Sequence, residues 1–169
     1  MRLLKMTSCL LAACAIAGAW PTAAHAESAT GKIEVSAFVT SNCRLTIAPL
    51  VFGEYDPLGV HQASSLDAST ELRLFCSRDS RPTLSLDGGL NPQGPALRGL
   101  TNAGEFLGYQ IFQDSSRTQP WGEGSDARTL SDFSGGFEPE RITVYGRIPA
   151  GQQVLSGSYS DVVTAKVDF

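Results

Sequence analysis

Apolar residues along this chain recur at every second position rather than at helical spacing, the pattern of half-buried β-strands. Ile33, Val35, Ala37 and Val39 alternate with Glu34, Ser36 and Phe38, and Leu72, Leu74 and Cys76 alternate with Arg73 and Phe75. Leu84 and Leu86 run into the turn signal Asp87-Gly88-Gly89, and Leu107, Tyr109 and Ile111 interleave with Gly108 and Gln110. Ile142, Val144 and Ile148 share one face, with Thr143, Tyr145 and Arg147 on the other. Near the end of the sequence, Val163, Ala165, Val167 and Phe169 alternate with Thr164, Lys166 and Asp168. Roughly six or seven short strands with turn residues between them predict an all-β antiparallel sandwich. Asn91 to Gly104 and Ser115 to Glu140 read as long connections, because Pro92, Pro95, Pro120 and Pro139 argue against central strands there.

The first 26 residues stand apart from that pattern. Arg2 and Lys5 precede the apolar run Cys9 to Ala19, and Ala24-His25-Ala26 offers small residues where a signal peptidase reads. Residues 1–26 are therefore expected to be a secretory signal, cleaved between Ala26 and Glu27. Leu11-Ala12-Ala13-Cys14 imitates a lipoprotein box, but cutting there would leave too short a signal and an apolar stub. With the signal gone, 11 Lys and Arg face 17 Asp and Glu, a net charge of −6. That balance lacks the basic footprint of a nucleic-acid binder. No later segment approaches the roughly 18 apolar residues of a membrane span.

Processing also simplifies the chemistry. Cys9, Cys14 and His25 leave with the signal, so Cys43, Cys76 and His61 remain. An even pair of cysteines in an exported domain reads as one disulfide. Closing the loop from Cys43 to Cys76 is worth about 3–4 kcal/mol in the chain-entropy picture. The two cysteines lack metal-pair spacing, so neither a zinc site nor any other metal or cofactor is expected. His61 lies in a polar stretch with no nucleophile elbow nearby, and is expected to be a solvated loop histidine. Gly122-Glu123-Gly124-Ser125-Asp126-Ala127 matches a dinucleotide string but follows Gln119-Pro120-Trp121 rather than a buried strand. Glu138 and Glu140 beside Arg141 read as a solvated turn rather than a glycosidase pair. Trp121 and Tyr145 are weighed as a sugar platform and read as packing. No enzymatic activity is expected.

Both ends of the processed chain carry an alternating segment. Ile33 to Val39 precedes Cys43 and reads either as the first strand of its own domain or as a strand offered to another chain.

The motifs decide between these. Ser41-Asn42-Cys43 and Phe52-Gly53-Glu54-Tyr55-Asp56-Pro57 resemble the opening of the spore coat protein U-like domain. The likeness continues through Tyr109 to Asp114, Arg117-Thr118, Trp121-Gly122-Glu123-Gly124, Val144-Tyr145-Gly146-Arg147-Ile148-Pro149-Ala150-Gly151-Gln152 and Gly157-Ser158-Tyr159-Ser160-Asp161. It covers nearly all of the processed chain. It departs between Ser125 and Glu140, which is charged here where the family is often rich in Gly and Thr.

The resemblance implies a pilin of archaic chaperone–usher fimbriae, supporting adhesion and biofilm formation. Its fold would be an incomplete immunoglobulin-like sandwich completed by a donor strand from another subunit. Residues 27–42 would be the donor extension, with Ile33, Val35, Ala37 and Val39 as donor side chains, and residues 43–169 the pilin domain. Val163, Ala165, Val167 and Phe169 would line the acceptor groove and the chaperone contact. Cys43 and Cys76 match the family's disulfide. The implied partners are a periplasmic chaperone, an outer-membrane usher, and copies of the chain itself or related pilins. The implied route runs through the periplasm to the cell surface. The rival readings are a secreted spore-coat or matrix protein of the same domain type, and a monomeric sugar-binding module using the loop from Ser115 to Glu140.

Overall fold

The structure is a computed structural model that describes residues 27–169; the expected signal segment, residues 1–26, lies outside the described residues. The chain divides between Ala37 and Phe38. Residues 27–37 are exposed and carry no regular secondary structure. Every strand among the described residues lies in Phe38–Phe169.

Eight strands form two sheets. They are β1 (Cys43–Ile47), β2 (Leu66–Cys76), β3 (Thr83–Leu86), β4 (Arg98–Asn102), β5 (Glu105–Phe112), β6 (Arg128–Thr129), β7 (Glu140–Ile148) and β8 (Ala165–Asp168). The larger sheet has the order β1-β2-β7-β5-β4 and the smaller β6-β3-β8, and every ladder is antiparallel. The only helical pieces among the described residues are two 3₁₀ turns, Val60–Gln62 and Gly124–Asp126.

The period-two positions become the core. Leu72, Leu74, Leu84, Leu86, Leu107, Tyr109, Ile111, Ile142, Val144 and Ile148 are buried in one cluster drawn from both sheets. Trp121, 1% exposed, belongs to the same cluster, and its indole N–H donates to the Leu84 carbonyl at 3.1 Å. A buried indole offers no face to a sugar. The disulfide joins Cys43 to Cys76, which sit directly opposite in the β1–β2 ladder.

Several expectations are corrected, and one of two open readings is narrowed: Ile33 to Val39 forms no strand of its own domain, and the first ladder begins at Cys43. An extended segment becomes a strand only when an edge accepts its backbone groups. The presumed connection Asn91 to Gly104 contains β4, which sits at a sheet edge where prolines before it do no harm. Its alternation is hidden because a charged residue, Arg98, faces inward and is 4% exposed. The stretch from Ser115 to Glu140 holds β6 and a 3₁₀ turn. The last strand is shorter than its pattern, with Val163 before it and Phe169 after it.

His61 is not solvated: it is 8% exposed and stacks on Tyr55 with ring centroids 4.9 Å apart. Its Nδ1 accepts the Asp56 backbone N–H at 2.8 Å, which assigns it to bracing the 55–61 turn.

Candidate functional site

An apolar cleft runs between two chain segments that no ladder joins. One wall is 47–57, leaving the end of β1; the other is 154–165, approaching β8. At the β8 end the cleft encloses about 340 Å³, with Ile47 and Leu50 on one wall and Val163 and Ala165 on the other. Its floor is Leu72, Leu86, Tyr109, Ile111 and Val144, side chains of the core cluster. A second section of about 690 Å³ continues past Phe52, Tyr55, Val154 and Tyr159 over Leu107 and Ile148. Leu50, Phe52, Leu100 and Asp161 line both sections, so they form one continuous slot.

Local chemistry explains each wall. Leu50 and Phe52 reach the sheet because position 146 has no side chain. A Cβ on Gly146 would come within 2.8 Å of Leu50 Cδ2 and 2.7 Å of Phe52 Cζ. Farther along, the Tyr55 hydroxyl donates to the Pro149 carbonyl at 3.0 Å and accepts the Gln152 N–H at 3.0 Å. Gln152 in turn grips the Gly108 backbone through both N–H and C=O, at 2.7 and 2.9 Å.

The opposite wall is held by a polar knot. The Arg98 guanidinium donates to the carbonyls of Asp87 at 2.9 Å, Trp121 at 2.8 Å and Leu86 at 3.4 Å. Burial lowers its pKa from the ordinary arginine value, partly offset by Tyr109, Asp87 and Asp161 nearby. The Asp161 carboxylate accepts the Tyr109 hydroxyl at 2.8 Å and the Leu90 N–H at 3.0 Å. Burial first, and that bond second, push the Tyr109 phenol far above its ordinary range. Asp87 accepts the N–H groups of Thr164 and Gly89, each at 2.9 Å. Burial works against those two bonds, yet the Asp87 pKa stays below the ordinary carboxylate value. Gly89, at φ 74°, must lack a side chain because its Cβ would collide with the Asp161 carboxylate.

Beside the slot, β8 is the last strand of the small sheet, and among the described residues nothing pairs its far side. The Asp87 N–H donates to the Thr164 carbonyl, so by ladder alternation the backbone groups of Val163, Ala165 and Val167 point to that unpaired side. Lys166 and Asp168 bond each other at 2.8 Å on the exposed face, which raises the Lys166 pKa through that hydrogen bond.

The sequence-derived candidates fall in different places. Val163 and Ala165 line the slot, Val167 packs on the core, and Phe169 is 56% exposed. Ile33, Val35 and Val39 are 89%, 90% and 84% exposed, and Ala37 is exposed. Sequence reasoning missed Leu50, Val154 and Tyr159, which follow no period, and Asp161, a polar residue in an apolar slot. The described residues contain no group of three His, Cys, Asp or Glu placed to hold a metal, and Glu138 and Glu140 are exposed. No described helix is long and apolar enough to cross a membrane.

Comparison with known proteins matches this arrangement to a family. The spore coat protein U domain matches residues 29–166. Protein U of Myxococcus xanthus is 33% identical over 159 residues, covering 86% of this chain and 88% of that protein. Among solved structures, a chain from the CsuC–CsuE chaperone–tip adhesion subunit pre-assembly complex, from archaic chaperone–usher Csu pili of Acinetobacter baumannii, is similar with a TM-score of 0.56 and 25% identity. That match covers 78% of this chain and spans 40% of the other, and it places the sandwich among immunoglobulin-like pilus-subunit folds. This chain belongs to the spore coat protein U domain family.

Proposed function

We propose that the chain is a structural subunit of a surface fimbria, built by strand donation between copies. The observation that carries this is a sandwich whose core opens into a slot beside an unpaired strand edge, in a chain that also bears an exposed alternating apolar segment. Seating Ile33, Val35, Ala37 and Val39 in such a slot transfers about 6–10 kcal/mol of apolar surface from water. Ordering those residues costs about 1–2 kcal/mol each, so side chains alone roughly break even. The backbone ladder along β8 supplies the balance, at about 0.5–1.5 kcal/mol per bond. Exchange of one strand for a better one then needs no nucleotide.

A slot this apolar invites aggregation if left bare. A periplasmic chaperone would cover it first, as the pre-assembly complex of the similar Csu subunit suggests. An outer-membrane usher would then exchange the chaperone for the next subunit's residues 27–42. Because the strand leaves one face and enters another, the contact does not close and yields a filament. On this reading residues 1–26 direct export, residues 43–169 form the pilin domain, and the fimbria serves adhesion and biofilm formation. A spore-coat or matrix layer made by the same strand donation is the second reading, favoured by the likeness to Protein U.

Denaturing electrophoresis of sheared surface material tests the proposal. We expect a ladder in unboiled samples that collapses on boiling and is missing when Lys32 to Thr40 is deleted. A lone monomer band in every lane would overturn it.

A further inference from the structure

The β8 wall of the slot and the segment before Cys43 carry matching charge patterns, and these set the register of the occupant. Residues 161–168 alternate strictly. Asp161, Val163, Ala165 and Val167 face inward, while Val162, Thr164, Lys166 and Asp168 are exposed. Residues 32–39 alternate in sequence in the same way: Lys32, Glu34, Ser36 and Phe38 between Ile33, Val35, Ala37 and Val39. Each outward row contains a cation followed two residues later by an acid, Lys32–Glu34 and Lys166–Asp168.

We infer that the occupant of the slot is residues 32–39 of a second copy of this chain, running antiparallel to β8 with Glu34 opposite Lys166 and Lys32 opposite Asp168. This rests on the strand-donation reading, which supplies the partner, and goes beyond it by fixing the register and the charge pairs that select it. Two rows that both read cation-then-acid match both unlike pairs at once only when antiparallel; running parallel in line, they set Lys on Lys and Glu on Asp, and a shifted parallel pair keeps at most one match. In the inferred register Ser36 meets Thr164 and Phe38 meets Val162, two small hydroxyls and two exposed apolar groups. Inward, Ile33 meets Val167, Val35 meets the small Ala165, and the small Ala37 meets Val163. Val39 falls opposite Asp161, whose carboxylate is already occupied by the Tyr109 hydroxyl and the Leu90 N–H.

The neighbouring registers are penalised. Sliding by two residues one way puts Lys32 against Lys166; sliding the other way puts Glu34 against Asp168. Directly opposed like charges destabilise a strand pair, whereas opposed unlike charges support it. Sliding by one residue turns the apolar row out to water. A row of alternating charge on an unpaired edge therefore acts as a self-recognition code: it deters foreign strands and admits this one.

The test places cysteine pairs in the full-length chain and assembles it in cells with its own secretion machinery. Directly opposed strand residues lie about 4.5–5.5 Å apart at Cα, within disulfide reach, while diagonal ones lie at about 7 Å or more. We expect Glu34→Cys with Lys166→Cys to give a boiling-resistant, thiol-sensitive ladder. Ser36→Cys or Lys32→Cys with Lys166→Cys, which report the two slipped registers, should give none. A boiling-labile ladder in every variant with the covalent one in a slipped pair would overturn the register and leave strand donation intact. A fast-migrating, internally bridged monomer would overturn the second copy as occupant, and no ladder even in the unaltered chain would overturn both. As a separate readout, Glu34→Lys should lower polymer yield by about two- to five-fold, the scale of one exposed charge pair. Adding Lys166→Glu should restore it, and failure of that rescue counts against the pairing.

Discussion

Two segments of this protein carry the same period-two pattern and differ in outcome. Within residues 163–169, Ala165–Asp168 settle beside β3 as β8, and residues 33–39 form no strand. Hydrophobicity does not separate them, since each offers four apolar residues in alternation. What separates them is an available edge. Thr83 to Leu86 offers a ladder to Ala165–Asp168, and the Asp87 carboxylate catches the Thr164 N–H just before it. Alternation is a capacity to become a strand, and an edge realises it. By the same logic the unpaired side of β8 is where the proposed donor strand would add.

That contrast can be broken most severely at its support. Arg98→Ala removes the donor to three carbonyls and should cost about 3–5 kcal/mol, read as a lowered urea midpoint. Next comes one substitution made in each segment. Val167→Asp places a charge against the core and should destabilise the domain by roughly 2–3 kcal/mol. Val35→Asp, at an exposed position, should leave the melting temperature unchanged and abolish fibres. Equal melting temperatures for the two variants would show that the segments do not differ as described. Gly146→Ala sharpens the comparison from the other wall. Its Cβ would press on Leu50 and Phe52 and should cost about 1–3 kcal/mol by overpacking.

The smallest effect is that of pH on the Asp87 anchor. Its folded pKa lies below the ordinary value of about 3.9, so its contribution is whole above roughly pH 4 and is lost as pH falls through the folded pKa. The Asp67 carboxyl, lowered chiefly by its hydrogen bonds from Arg147, behaves with the same sign. Comparing melting temperatures at pH 7 and pH 3, we expect Asp87→Asn to lose less on acidification than the unaltered chain. The difference should stay under about 1 kcal/mol because both carboxylates are partly solvated.

Much of the fold was legible in the chain. The strands β2, β3, β5, β7 and β8 overlap period-two runs, with only the second half of β2 visible in its run, because their inward rows are mostly apolar. β4 escaped because its inward row begins with Arg98, whose charge is met by carbonyls from elsewhere in the fold. β6 escaped because two residues have no period. His61 misled for a similar reason: a polar neighbourhood in sequence became a buried stack once Tyr55 folded over it.

Alternation, the cysteine count and motif order alone determined that this is an antiparallel β-sandwich with one disulfide and a family resemblance to pilins. Those properties depend on neighbours along the chain or on residue identity. Tertiary structure decided where the core lies open, which edge is unpaired and which alternating segment becomes a strand. The slot's lining comes from Ile47, Leu72, Leu86, Tyr109, Val144 and Val163, residues spread over most of the domain. Whether such residues enclose a core or leave a gap depends on which strands reach one another across space, and no local pattern encodes that.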